Sequence, residues 1–144
     1  MKESDITKLS AILSYCNIIN SLMKRFGNSL DILYNDTAYQ LSISFCLEHI
    51  GEKIKLLSPE FMKQNEKRIP FKQIIDLRNR IAHDYASIEF ELILEIITYD
   101  IPVLEAFCKE KLDENQTHEV RNDALSATTT VTPAPTPSKP KFKP

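Results

Sequence analysis

The residues most able to carry chemistry lie in one segment, Pro70 to Tyr85, which reads PFKQIIDLRNRIAHDY. Arg78 carries a planar fork of hydrogen-bond donors suited to an anion. His83 has an imidazole, the side chain most often used for proton transfer. Tyr85 adds a phenolic hydroxyl two residues later. These three side chains are therefore the first candidates for a functional site.

A helical projection of this segment places Arg78 in an unexpected position. At about 100° per residue, Arg78 falls in the middle of an apolar arc within about 80° of Phe71. The arc is formed by Ile74, Ile75, Ile81 and Ala82. A buried arginine is costly unless it is paired or placed at a working surface. Two explanations remain: Arg78 pairs with a buried carboxylate or extends to solvent, or it serves a functional site.

The same projection separates the two candidate catalytic side chains. Five residues divide Arg78 from His83, which is about 140° around a straight helix. Either the helix ends at His83, or a two-fold axis brings in a second copy. A lone histidine at the edge of an apolar stripe is more often structural. Tyr85 projects onto the line of Arg78, two helical turns further on. We therefore expect its hydroxyl to face the same functional site as Arg78.

Helices are the elements that must position these residues. Two glycines among 144 residues disfavour a strand-and-turn fold. Apolar residues recur at three- and four-residue spacing, which predicts amphipathic helices. We predict helices over about 5–26, 36–57, 70–83 and 87–112, with a short helix opening at Pro59. This pattern predicts an all-α bundle of four to five helices.

Glycine and proline predict local detail within this bundle. Gly27 is expected to end the first helix, and Gly51 to permit close packing of the second. Ser58 and Pro59 have the types expected at the N-cap and first position of a helix. Pro102 predicts a kink or a break, with Asp100 as a new cap.

The C-terminal sequence differs in composition from the rest. Its end, ATTTVTPAPTPSKPKFKP, holds five of the eight prolines and few apolar residues. Such a segment cannot bury enough surface to offset the entropy of ordering. We therefore predict a helical domain over residues 1–113 and a disordered tail over 114–144.

Composition restricts the class of protein. The formal net charge is -2, yet residues 53–80 hold eight basic and three acidic side chains, a local charge of +5. That excess indicates either a solvated face or a surface for an anionic partner. Cys16, Cys46 and Cys108 have no metal or disulfide spacing, so buried thiols in a reducing cytoplasm are expected. No membrane span is predicted.

Other chemistries have weaker support in the sequence. No glycine-rich phosphate loop and no GxSxG motif is present. His49, His83 and His118 do not have the spacing of metal ligands, and we predict no cofactor. Glu48 and Glu52 lie one turn apart, which a solvated face explains better than a metal site.

The motif segment resembles the HepT-like branch of the HEPN superfamily. R-N-R-I-A-H-D-Y, from Arg78 to Tyr85, fits the R-x4-H-x-Y motif of that family. The segment 40–61 resembles its helix ending in I-G-E and L-S-P-E, 69–85 resembles its motif helix, and 97–107 resembles its closing helix. The resemblance covers about residues 6–112. Phe71 stands where tryptophan is common, and Ala82 and Asp84 flank the histidine in place of a more apolar residue and a glycine.

The resemblance implies a dimeric helical bundle in which Arg78 and His83 of both chains form a composite cleft. It implies metal-independent RNA cleavage by attack of a 2′-hydroxyl on the adjacent phosphate. It also implies a toxin neutralised by a minimal nucleotidyltransferase antitoxin that attaches AMP to Tyr85. Asn79 could position a phosphate oxygen, and Arg80 could contact RNA or pair with Asp76. The alternative is a non-catalytic helical subunit of a nucleotidyltransferase.

Overall fold

Seven α-helices account for most of residues 1–126, the part of the chain described by this computed structural model. They are α1 Glu3–Phe26, α2 Leu30–Asn35, α3 Thr37–Lys55, α4 Pro59–Asn65, α5 Phe71–His83, α6 Phe90–Glu95 and α7 Ile101–Ser126. A 3₁₀ turn, Tyr85–Ser87, follows α5, and a π-helical turn, Ile96–Asp100, leads into α7. The 126 residues contain no strand, so the predicted all-α class is confirmed.

Helix α3 lies at the centre of the bundle, with α1 on one side and α5 on the other, while α7 packs along α1. The core contains side chains from all four of these helices, including Ile12, Ile43, Ile81 and Phe107. The predicted buried thiols are confirmed, since the structure has free, buried cysteines at Cys16, Cys46 and Cys108. Burial raises their thiol pKa values to about 12, 11 and 12, so all three remain neutral.

Several predicted boundaries are confirmed. Gly27 follows α1 with φ 90°, a left-handed value, and its N–H donates to the Met23 carbonyl. Ser58 caps α4 through its side chain, with Pro59 as the first helical residue. Asp5, buried under that cap, accepts hydrogen bonds from the Ser58 N–H at 2.8 Å and hydroxyl at 2.6 Å.

The C-terminal half corrects two predictions. The expected helix over 87–112 is instead α6, a π-helical turn and α7, and Asp100 lies inside the turn rather than capping a new helix. Pro102 is the second residue of α7, directly after the π-helical turn. The π-helical turn joins α6 to α7 directly, so the helical path continues without a loop.

The boundary of the predicted tail was also placed too early. Helix α7 continues to Ser126, so 114–126 are helical and mostly exposed, not part of a disordered tail. Extending a packed helix avoids the nucleation cost, and Asn115 donates to Glu119 one turn on at 3.0 Å. The predicted tail over 127–144 lies outside the described residues. No helix within residues 1–126 is long and apolar enough to cross a bilayer.

Candidate active site on helix α5

Helix α5 carries Arg78, Asn79, Arg80 and His83, and it is held by α3. Phe71 and Ile81 are buried against the core, so the apolar arc of the motif helix faces its own chain. A dimer contact through the face of Phe71, Ile74, Arg78 and Ala82 stays a prediction, in which Phe71 itself is too buried to take part. Phe71 is 6% exposed and its ring packs edge-on against Phe107. Most of the apolar arc packs on the core of one protomer, while Ala82 at its end is exposed.

Arg78 lies at the closest approach of α5 to α3. The α3 residue beneath it is Gly51, and a Cβ built there would collide with the Arg78 Cβ and lie 2.8 Å from its Cγ. The predicted role of Gly51 in close packing is confirmed. The absence of a side chain at Gly51 lets the stem of Arg78 lie flat on α3, which brings the guanidinium to the next residue of that helix.

That next residue, Glu52, forms an ion pair with Arg78. The Arg78 Nε lies 2.5 Å from the Glu52 Oε1, and the Arg78 side chain is 18% exposed. The two atoms are buried but too poorly aligned for a hydrogen bond. The arginine is therefore paired with a carboxylate, one of the two explanations the sequence left open. The Glu52 side chain is 37% exposed, as a solvated face predicts, but it also supplies that carboxylate, which the sequence did not predict.

Asn79 holds a second side of the guanidinium. The Arg78 Nη1 donates to the Asn79 side-chain oxygen at 3.0 Å. Glu52 and Asn79 thus fix Arg78 from two directions, and the planar guanidinium keeps further donors for an anion. The structure shows Asn79 orienting Arg78, whereas the sequence suggested direct contact with a phosphate.

Arg80 lies away from this cluster, about 200° around α5 from Arg78. It makes no ion pair with Asp76 in the part of the chain that the structure describes. Both instead line a groove of about 420 Å³ beside α7. Arg68, another basic residue of the 53–80 segment, donates two hydrogen bonds to Glu110 at 2.7 and 2.8 Å. Part of the predicted basic excess is therefore neutralised by partners distant in sequence.

His83 is the last residue of α5, and its side chain is exposed. The helix ends there because the Asp84 N–H donates to the Arg80 carbonyl while Asp84 itself leaves helical geometry. An exposed imidazole can reach a bound substrate, whereas Arg78 lies part-buried on α3. One α5 helix does not place these two side chains on the same line.

Tyr85 lies outside α5, so its helical projection onto the line of Arg78 was wrong. It opens the 3₁₀ turn Tyr85–Ser87, and its ring packs against the core. Its hydroxyl is buried and has no hydrogen-bond partner among residues 1–126. The expected projection of this hydroxyl into a cleft is therefore not the conformation seen.

A testable consequence concerns Gly51. Gly51→Ala should destabilise the fold, because overpacking costs about 1–3 kcal/mol against roughly 1 kcal/mol gained in helix propensity. Thermal unfolding in a double-mutant cycle with Arg78→Gly, which removes the colliding Cβ and Cγ, measures the contact. We expect a coupling of about 1 kcal/mol or more. Additive effects of the two substitutions would contradict the close approach.

Comparison with known proteins identifies the family of the chain. A family model described as "Ribonuclease HepT-like" matches residues 12–111. "Putative RNase TTE0752" of Caldanaerobacter subterraneus is 32% identical over 108 residues, covering 75% of this chain and 94% of that protein. "Putative RNase MJ0125" of Methanocaldococcus jannaschii is 29% identical over 94 residues, covering 65% and 78%. No solved structure matches the chain. The chain therefore belongs to the HepT-like ribonuclease family.

Proposed function

We propose that this protein is the toxin of a toxin–antitoxin pair and cleaves RNA with Arg78 and His83 as its catalytic residues. The observation that supports this most is the fixed position of Arg78, held by Glu52 at 2.5 Å and by Asn79 at 3.0 Å. Its remaining donors are oriented in advance, which is what stabilising a charged transition state requires. Membership of a ribonuclease family supplies the substrate class.

The proposed reaction uses the RNA as its own nucleophile. The 2′-oxygen attacks the adjacent phosphorus, a new O–P bond forms, and the bond from phosphorus to the 5′-oxygen breaks. His83 takes the 2′ proton or supplies a proton to the leaving 5′-oxygen, and the other proton is exchanged with water or with the same group of a second copy. Arg78 stabilises the added negative charge on the phosphorane. The products are a 2′,3′-cyclic phosphate and a 5′-hydroxyl, and the scheme needs no metal ion.

The remaining basic side chains of residues 53–80 would bind the RNA backbone. Lys55, Lys63, Lys67 and Lys72 are exposed. Phosphate contacts of this kind position a nucleic acid without reading its sequence, and they weaken as salt increases. We place the reaction in the cytoplasm, where RNA and ATP are present and thiols stay reduced.

Cleavage assays on a 5′-labelled RNA test the roles of these residues. His83→Ala should lower the rate by about 10²–10⁴-fold, as expected for loss of a proton-transfer group. His118→Ala, at an exposed position of α7, is the matched control and should retain activity. Full activity in a folded His83→Ala protein would remove His83 from the mechanism.

The positioning of Arg78 forms the second arm of the same assay. Arg78→Lys keeps the charge but loses the fork, so its rate should fall strongly. Glu52→Gln should fall by roughly tenfold to a hundredfold, because small misplacements of catalytic groups are costly. Glu48→Gln, one turn earlier on α3, should cleave normally. A folded wild-type protein that cuts no RNA would favour the non-catalytic alternative.

We further propose that a second copy completes the site by covering an exposed line on α3. Leu41, Phe45 and Leu56 are each more than half exposed. At 100° per residue they fall within about 60° of one another, with Glu52 among them. Exposed apolar side chains aligned in this way are typical of protein contacts. The ion pair of Glu52 with Arg78 lies in this line, so a two-fold contact there would bring two active-site arginines together.

Charge inserted into this line should separate the copies. Phe45→Glu is expected to convert a dimer to a monomer in sedimentation experiments and to abolish cleavage, because an unpaired charge cannot be buried cheaply. Val120→Glu, at another exposed apolar position, is the matched control and should remain dimeric. A wild-type protein that is monomeric and active would contradict the composite site.

The antitoxin proposed for this toxin is a minimal nucleotidyltransferase that modifies Tyr85. The Tyr85 oxygen would attack the α-phosphorus of ATP, forming an O–P bond while the bond to pyrophosphate breaks. The hydroxyl proton would pass to a base of the transferase or to solvent. The attached phosphodiester is negative and bulky, so it would obstruct RNA by charge and by size together.

Intact-mass measurement tests this modification directly. Incubation with ATP, magnesium and the partner transferase should add about 329 Da, one AMP unit, to the wild-type chain. Tyr85→Phe should gain no mass, whereas Tyr99→Phe, which alters an exposed tyrosine, should be modified normally. An adduct that persists on Tyr85→Phe would place the modified residue elsewhere.

A further inference from the structure

The hydroxyl of the partly buried Tyr85 lacks the hydrogen bond that the hydroxyl of Tyr39 makes. Tyr39 is fully buried, and its hydroxyl donates to the Gly27 carbonyl at 3.0 Å. The Tyr85 hydroxyl is buried with no partner among the residues described. A buried polar group without a hydrogen bond carries its full desolvation cost. The conformation in which the Tyr85 hydroxyl is buried is therefore destabilised by that hydroxyl. The same hydroxyl is the group that the proposed modification requires.

The turn that holds Tyr85 inside has few restraints. It spans residues 84–88, which we call the Tyr85 turn. Its hydrogen bonds run from the Ser87 N–H and hydroxyl to the Asp84 carbonyl, at 3.1 and 2.8 Å, and from the Ile88 N–H to the Tyr85 carbonyl, at 3.1 Å. Asp84, Ala86 and Ser87 are exposed, so water can replace most of these bonds. Within residues 1–126, the side chains that pack the turn against the core are Ile88 and Tyr85, and the Asp84 N–H ties its start to the Arg80 carbonyl.

We propose that the Tyr85 turn is a gate with a closed state, in which the tyrosine hydroxyl is concealed, and an open state, in which it is available for modification. Opening lets the hydroxyl regain hydrogen bonds to water, which offsets part of the loss of ring burial. Segments with few buried contacts and exposed hydrogen bonds are those that open locally. Opening itself follows from these contacts, while its use in AMP transfer rests on the function proposed above.

The gate has a consequence for the modified protein. A nucleotide attached to the Tyr85 oxygen cannot be accommodated where that oxygen is now buried, so modification would hold the turn open. The turn begins at Asp84, whose N–H bond to the Arg80 carbonyl ends α5 directly after His83. Modification would therefore alter the end of the helix that carries His83, in addition to adding negative charge near it.

Tyrosine nitration on the full chain tests the gate without any transferase. With tetranitromethane and peptide mapping by mass, exposed Tyr99 should react fastest and buried Tyr39 slowest. Tyr85 should react roughly tenfold more slowly than Tyr99 but measurably faster than Tyr39. Ser87→Ala, which removes the 2.8 Å bond to the Asp84 carbonyl, should raise the Tyr85 rate several-fold. Ser21→Ala removes a similar exposed bond within α1 and should leave that rate unchanged.

Three results would overturn the proposal. If Tyr85 is nitrated as slowly as Tyr39 in the wild type and in Ser87→Ala, the turn stays closed. A wild-type rate equal to that of Tyr99 would mean that the buried state is not populated. An intermediate rate insensitive to Ser87→Ala would mean that the turn is not the unit that opens. All three are independent of AMP transfer, so failure of the antitoxin proposal would leave the nitration result intact.

A stability measurement provides a second arm. Tyr85→Phe removes a hydroxyl that has no partner, so its melting temperature should equal or exceed that of the wild type. Tyr39→Phe removes a satisfied hydroxyl and leaves the Gly27 carbonyl without its donor, so its melting temperature should fall. An equal fall in both variants would show that the Tyr85 hydroxyl is satisfied, and the gate would lose its physical basis.

Discussion

The contact between α3 and α5 at Gly51 and Arg78 is the constraint on which the candidate site depends. A glycine at this crossing lets the arginine stem lie against the backbone of α3. The next α3 residue, Glu52, then meets the guanidinium at 2.5 Å. An arginine oriented by a carboxylate and by its own neighbour, Asn79, is held before any substrate arrives. This pre-organisation is what distinguishes a working arginine from one that merely extends to solvent.

The same packing divides α5 into parts with different duties. Its apolar arc, from Phe71 to Ile81, completes the core. Its last turn presents His83 to solvent, and the turn beyond it buries Tyr85. In the function proposed above, stability, proton transfer and regulation would thus lie along one short helix and the turn that follows it. Because that helix packs chiefly on α3, a substitution at the crossing of α3 and α5 would affect the core contacts, His83 and the turn that holds Tyr85.

The sequence alone determined the helical class, most helix boundaries, the close packing at Gly51 and the buried thiols. It could do so because helix period, capping residues and helix breakers act over a few neighbouring positions. The R-x4-H-x-Y resemblance likewise indicated the family. The prediction that the tail begins at residue 114 was wrong. Residues 114–126 have the composition of a solvated segment, yet α7 continues through them to Ser126 as an extension of its packed turns.

Only the tertiary structure decided which partners these residues meet. The pairing of Arg78 with Glu52 joins residues 26 positions apart, and the pairing of Arg68 with Glu110 joins residues 42 apart. A helical projection treated Tyr85 as part of α5, whereas α5 ends at His83. A projection assumes a continuous helix and cannot show which face a neighbouring helix covers. Those two facts depend on how α3 and α5 pack, because packing alone brings distant residues into contact.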